Sequence, residues 1–205
     1  MNDKLLELAM EIQGIAQSGL AYCKDVYDKE RYERLRQISV EMLAEKTELS
    51  AEKIAGIFCN DSGYQTPKVD TRAAIFNGDK ILMVHEKNDT WSLPGGWCDV
   101  NQSVASNVVK EVEEETGLKA KAERIIAVHD WRKHNVCNYV YGVVKIFVLC
   151  KTEGGSFKEN VETSEIKYFA KDELPENLAV EKTTKEQILT CFKASENENF
   201  APELD

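Results

Sequence analysis

No stretch of this chain approaches the ~20 consecutive apolar residues that a membrane-spanning helix needs. Its first residues, MNDKLLELAM, are acidic and amphipathic. They lack the basic start and small-residue cleavage site of an export signal, so a cytoplasmic protein is expected. Positive charge is scarce: 26 Lys and Arg against 36 Asp and Glu give a formal net charge of −10. The deficit is spread evenly, since residues 1–66 hold 8 basic against 12 acidic groups. Neither half carries the basic field on which non-specific nucleic-acid binding depends. An acidic protein acting on an anionic substrate must find positive charge locally, which anticipates a metal ion. The six cysteines, at 23, 59, 98, 137, 150 and 191, form no CxxC pair and no ligand spacing with His. Free thiols follow more simply than zinc or disulfides.

What is present is an ordinary globular composition, 42% apolar and 30% charged over 205 residues, with no internal repeat or low-complexity tract. The pattern changes character near residues 61–68 (DSGYQTPK), which suggests a helical domain over 1–64 and a second domain over 65–205. In the first, Leu5, Leu8, Ile12 and Ile15 fall at helical spacing, and Tyr32, Leu35, Ile38, Met42 and Leu43 make a second stripe. Asp28 is placed to cap the second helix. Ser50 would cap a third that buries Ile54 and either Ile57 or Phe58. Some 60 residues with so little apolar surface make a marginal free-standing fold, so they are expected to pack on something else.

After residue 65 alternation takes over. Strands are expected at 69–76 and 80–85 around an Asn77-Gly78 turn, at 125–130, at 139–151 as the long central strand, and at 166–169. A helix is expected from Ser103 to Thr116, closed by Gly117 in the left-handed region. A last helix is expected near 184–193, with a loose acidic tail after it.

The informative segment is residues 95–118, GGWCDVNQSVASNVVKEVEEETGL. Glu111, Glu114 and Glu115 stand at i, i+3 and i+4, so they share one helix face, while Glu113 points away. Like charges at this spacing repel, and hard divalent cations bound by carboxylate oxygens relieve the repulsion. Val104, Val108 and Val112 mark the opposite, buried face. Gly95 and Gly96, directly upstream, let backbone carbonyls and N–H groups turn toward a metal or a phosphate.

This segment resembles the Nudix box, a loop–helix–loop of form G-x5-E-x7-R-E-U-x-E-E-x-G-U in which U is a bulky aliphatic. Gly96, Glu111, Val112, Glu114, Glu115, Gly117 and Leu118 match, as does the lead-in Trp91-Ser92-Leu93-Pro94-Gly95. Gln102 replaces the first Glu and Lys110 replaces the Arg. Those two can still share one hydrogen bond but not a bidentate charged lock. The N-terminal pattern QGIAQSGLAYCKDVYDKERYERLRQISVEML, followed by GYQTPKVDTRA, is similar to Nudix members that carry a helical extension and act on X-linked nucleoside diphosphates, CDP-choline and ADP-ribose pyrophosphatases among them.

The resemblance implies an α/β fold, a mixed β-sheet sandwiched between helices and preceded by a small all-helical domain, in a homodimer whose interface the extension helps to build. It implies Mg²⁺, replaceable by Mn²⁺, held by Glu111, Glu115, the Gly95 carbonyl and Glu114, the last directly or through water. Hydrolysis of a pyrophosphate then yields a nucleoside monophosphate and phosphorylated X. Glu114, Glu162 and Lys110 are the candidate catalytic groups, with Glu162 in the late loop favoured over Glu165 as base. Candidate substrate contacts are Gly96, Arg72 on the first strand, and Arg132, Lys133 and His134 in the HDWRKHN loop. Trp131 or Tyr139 is a candidate stacking partner. Two alternatives stand: RNA-directed nuclease or decapping chemistry at the same metals, and a weak enzyme that serves as a nucleotide sensor.

Overall fold

A computed structural model describes residues 4–45, 50–136 and 139–205, so Cys137 lies outside the described residues. The chain forms two compact units: the described residues of 1–67 with those of 138–142, and the remainder. Among the described residues, no helix is long and apolar enough to cross a membrane.

The first unit holds α1 (Lys4–Tyr22), α2 (Val26–Ala44) and α3 (Ala51–Phe58). Asp25, not Asp28, caps α2. Its extended backbone lets the carboxylate accept from the amides of Tyr27 and Asp28, at 2.9 and 3.1 Å. Asp28, inside the first turn, pairs with Arg31 at 2.6 Å instead. Ser50 caps α3 through the Lys53 amide. Ile54 and Phe58 are buried, and Ile57 is exposed. The core is Ala9, Val40, Leu43, Ile54 and Phe58, joined by Leu6, Met10, Met42 and Val140.

The expected α1 stripe is not the inward face. Ala9, Gln13, Ala16 and Gln17 point in, and Leu8 and Ile15 are exposed. Small residues permit the close approach of α1 to α2: a Cβ on Gly19 would sit 2.3 Å from the Tyr32 ring. The two glutamines donate to the carbonyls of Phe58 (3.3 Å), left over where α3 ends, and of Gly63 (3.1 Å) in the segment after it.

The second unit is a forked mixed sheet between two helices. Its strands are β1 (Lys68–Asn77), β2 (Lys80–Glu86), β3 (Trp91–Ser92), β4 (Gly95–Trp97), β5 (Leu118–Asp130), β6 (Val143–Gly155), β7 (Thr163–Ala170) and β8 (Glu203–Leu204). The main order is β3-β2-β1-β6-β5-β8, with β4 on β1 and β7 on β2. β6 is central and parallel to β1. It starts later than expected because Tyr139–Gly142 belong with the helical unit, where Val140 packs on the core. The β1–β2 hairpin closes Asn77 on Lys80, so its loop is Gly78-Asp79. Only Gly78 has positive φ, the pattern of a II′ turn.

One sheet face buries Ala73, Ile75, Leu82, Val148 and Cys150 under Val108 and Val112 of α4 (Val104–Thr116). The other buries Ala74, Ile81, Met83, Ile126 and Phe147 under Ile188 and Phe192 of α6 (Lys185–Glu196). A one-turn helix, α5 (Trp131–His134), follows β5. The C-terminal segment is not loose. α6 runs to Glu196, β8 pairs in parallel with β5, and Asp205 accepts from the Asp130 amide at 2.9 Å.

On the α6 side of β1 and β6, three charged side chains are buried together. Arg72 forks onto Asp70, Nε to Oδ1 at 2.8 Å and the terminal nitrogen to Oδ2 at 2.6 Å. Lys145 approaches the same carboxylate at 3.5 Å and donates to the Lys182 carbonyl at 3.0 Å. Removing one partner of a buried pair costs about 3–5 kcal/mol, because the survivor keeps an uncompensated charge. Asp70→Asn is therefore expected to lower unfolding stability by about 3 kcal/mol or more, read as a shifted urea midpoint. A loss below about 1 kcal/mol would show that the cluster is solvated.

Candidate metal and phosphate site

The site is built where α4 meets β1 and β4. Ser103 caps α4 in a capping box with Ser106, and Gly117 ends it in the left-handed region at φ 69°. The valines do not lie opposite all the carboxylates as expected: with Val108 and Val112 buried on the sheet, Glu115, seven residues after Val108, is buried beside them, and Glu111 reaches toward β4. Asn107, fully buried in the same stripe, fixes the approach. Its amide donates to the Thr71 hydroxyl (3.0 Å) and the Trp97 carbonyl (3.2 Å), and its oxygen accepts from the Asp99 amide (3.2 Å).

Two glycines bring bare backbone against the carboxylates. Gly95 has φ 144°, and a Cβ there would lie 2.0 Å from the Thr71 carbonyl oxygen. Its amide donates to Glu115 Oε2 at 2.8 Å. A Cβ on Gly96 would stand 2.6 Å from Glu111 Oε2. Glu115 is only 7% exposed. Burial pushes its carboxyl up to about 7, against the downward pull of Arg72 and the Gly95 N–H, while Glu111 pushes it further up.

Lys110 lies 3.0 Å from Asp99, 3.0 Å from Glu111 and 3.5 Å from Glu114. Hydrogen bonds to Asp99 and then Glu111 hold its ammonium above the ordinary lysine range. Its partners are these acids rather than the expected Gln102, because a carboxylate attracts an ammonium more strongly than a neutral amide does. Glu114 is mostly exposed and leans toward that lysine. Among the described residues, no three acidic, His or Cys side chains converge as a ready-made metal cluster. Glu115 is turned to the Gly95 amide, whereas Glu111 and Glu114 are drawn to Lys110.

The late loop is tied to the end of α4 by a residue the sequence reading passed over. Asn160 donates to the carbonyls of Glu114 (3.1 Å) and Glu115 (3.0 Å), and its side-chain oxygen accepts from the amides of Glu162 (3.0 Å) and Thr163 (2.8 Å). Glu162 is exposed on this strap, its carbonyl held by the Lys87 amide at 3.1 Å. Glu165 lies within β7, opposite His85. His85 stacks on Trp91 and is bracketed by Asp89 and Ser164.

The expected cationic contacts are already engaged. Burial alone would depress the Arg72 guanidinium. Asp70 more than offsets this and holds it above its usual range. With 4% of its side chain exposed, Arg72 is buried and bonded to Asp70 and the Leu93 carbonyl. Arg132 is folded back onto Asp130, and His134 pairs with Asp205 at 2.5 Å while stacking 3.8 Å from His129. Lys133 is exposed beside the same two acids. The basic loop is thus countered by Asp130 and the C-terminal strand. Trp131 is buried, and Tyr139 stacks on Tyr141.

Asn107 had a weak signature in the sequence, a polar residue inside an apolar helical stripe. Asn160 had none, since an asparagine in a polar loop is ordinary turn chemistry.

Comparison with known proteins places the whole chain. Residues 66–190 match the NUDIX domain family, and residues 3–58 match a UDP-X-like, N-terminal oligomerisation domain. YjhB of Bacillus subtilis (strain 168), provisionally named an ADP-ribose pyrophosphatase, is 43% identical over 190 residues, 92% of this chain and 91% of its own. An ADP-ribose pyrophosphatase structure from Streptococcus suis is 50% identical with a TM-score of 0.64, covering 68% of this chain and all of that one. The crystal structure of a UDP-X diphosphatase is 37% identical with a TM-score of 0.65 and covers 98% of both chains. With a helical domain and a Nudix domain together accounting for nearly its full length, the chain belongs to the Nudix hydrolase family, in the branch that carries the UDP-X-like N-terminal domain.

Proposed function

We propose that this hydrolase uses Mg²⁺ to split the pyrophosphate linkage of a nucleoside diphosphate joined to a group X, giving a nucleoside monophosphate and phosphorylated X. ADP-ribose is the first candidate and CDP-choline a second. The names of the Bacillus subtilis and Streptococcus suis proteins favour the former.

The observation that carries this reading is the buried Glu115 carboxylate on the Gly95 amide. Its carboxyl, pushed up to about 7, marks a buried acid whose surroundings supply too little positive charge. A divalent cation supplies that charge, and Nudix hydrolases use such ions. The donors fit: Glu111, Glu115 and the Gly95 carbonyl are all oxygen, as hard cations require, with Glu114 completing the set. When bound, the ion contributes neutralisation of phosphate charge and a more acidic water.

The chain's own groups do the rest. Gly95 and Gly96 bring bare backbone against Thr71 and the Glu111 carboxylate, Lys110 is a fixed counter-charge among the acids, and Glu162 on the strap accepts the proton of the attacking water. The helical domain pairs two copies of the chain, in keeping with the oligomerisation domain it matches, and the enzyme acts in the cytoplasm.

A weak, sensor-like enzyme is the second reading. It is favoured by one observation, that Lys110 already holds Glu111 and Glu114. The countered basic loop gives RNA chemistry no comparable support.

Glu115→Gln keeps the shape of a buried group and removes its charge. It is expected to leave the melting temperature unchanged or higher while Mg²⁺-dependent release of AMP from ADP-ribose falls roughly a thousandfold, about 4 kcal/mol of barrier. A variant as active as the wild type would remove Glu115 from the chemistry. If the wild type too is inert toward ADP-ribose, CDP-choline and UDP-sugars but still binds nucleotide, the sensor reading takes over.

Asn160→Ala cuts the strap from α4. It is expected to lower kcat roughly 10-fold and raise the Mg²⁺ concentration for half-maximal rate, as lost outer-shell support does elsewhere, at a stability cost of about 1–2 kcal/mol. Unchanged kcat and metal dependence would show that the strap is only structural.

A further inference from the structure

The helical unit packs Leu6 and Met10 of α1 on its core but turns one aliphatic stripe outward. Leu8, Ile12 and Ile15 stand at i, i+4 and i+7. Leu8 is 38% and Ile15 52% exposed, with Ile12 half-buried between them. The inward face is Ala9, Gln13, Ala16 and Gln17. Along this part of the helix the usual amphipathic arrangement, in which large apolar residues face the core and amides face water, is reversed. The buried glutamines have a cause within one copy, the carbonyls of Phe58 and Gly63. The outward aliphatics have none there. Single exposed aliphatics are commonplace, whereas a stripe on one helix face marks a contact surface.

Such a stripe suits a second copy of itself. Residues 3–58 match an oligomerisation domain, and most soluble homo-oligomers are built on isologous two-fold contacts. Leu8 and Ile15 lie equally far along α1 from the point between Glu11 and Ile12. Two antiparallel α1 helices related by a two-fold through that point set Leu8 of each against Ile15 of the other, with Ile12 beside the axis. The antiparallel sense also sets the helix dipoles in opposition. We infer that the Leu8–Ile12–Ile15 face of α1 is where two copies of this chain join, in that antiparallel register. This rests on the reading of the helical domain as self-associating, and it adds the face and the pairing.

The test is the mass of the full chain in solution, by light scattering or sedimentation across a dilution series. The wild type is expected to be dimeric. Leu8→Lys and Ile15→Glu are each expected to raise the dissociation constant at least 100-fold. Ile15→Ala, which introduces no charge, is expected to raise it about tenfold. The double variant Leu8→Lys with Ile15→Glu sets the introduced Lys of one copy against the introduced Glu of the other, and recovers most of the dimer. Ile57→Lys, at an exposed aliphatic on α3, leaves the dimer intact. Far-UV circular dichroism on every variant confirms that the helices remain.

A monomeric wild type overturns the self-association reading itself. A dimeric wild type whose single variants all stay dimeric leaves that reading standing and overturns this face. Single variants that dissociate without rescue in the double overturn the antiparallel pairing.

Discussion

The constraint on which the hydrolase unit turns is a negative charge placed where water cannot reach it. Glu115 could be solvated had α4 ended a turn earlier or lain farther from β4. Instead Val108 and Val112, buried on the sheet, bring its carboxylate in with them and leave it on the Gly95 amide. One N–H and a nearby guanidinium do not replace a hydration shell, and the carboxyl responds by holding its proton to about neutral pH. Several other local features support this placement. Gly95 must be glycine for β4 to approach β1, Asn107 must be polar to hold the loop, and Asn160 must cap the helix end that bears the acid. A unit built only for stability would have an apolar residue here. Retaining a buried acid is a sign of chemistry, and it calls for a cation.

The departures from the Nudix pattern fall around this centre and change its electrostatics in a definite direction. An arginine at position 110 would fork onto a carboxylate and be held by it. Lys110 is a point charge, and it distributes itself among Asp99, Glu111 and Glu114. With Gln102 neutral, the ammonium is shared between Asp99 and the candidate metal-site acids Glu111 and Glu114. Part of the positive charge the acids need is therefore supplied by the chain itself. A cation arriving at these acids would have to compete with it.

Much of this was legible before any coordinates. The carboxylate face of α4, its valine stripe, its Gly117 stop and the helical-then-sheet order all follow from spacing and turn chemistry, because local rules decide them. What could not be read were contacts between residues distant in sequence. Arg72 read as a charge set within an alternating strand. That it is bridged by Asp70 and roofed by the Leu93 carbonyl depends on how β1 meets its neighbours. Residues 129–135 read as a basic patch because Asp205 is some seventy positions away. Periodicity found the stripe on α1 but not the direction it faces, since glutamines were free to take the inside once carbonyls awaited them.

That last reversal bears on why the chain has its N-terminal domain at all. A three-helix unit whose core cluster, among the described residues, is Ala9, Val40, Leu43, Ile54 and Phe58 is thin by the measure of small domains. Rotating α1 to bury Leu8 and Ile15 would thicken the core, but it would leave the Phe58 and Gly63 carbonyls without their donors and expose the glutamines to no purpose. The arrangement found keeps the two glutamines paired with those carbonyls and leaves the aliphatics of this stripe at the surface. If two copies join through that face, the helical unit is half of an interface, and its stability and self-association are coupled through one face of one helix.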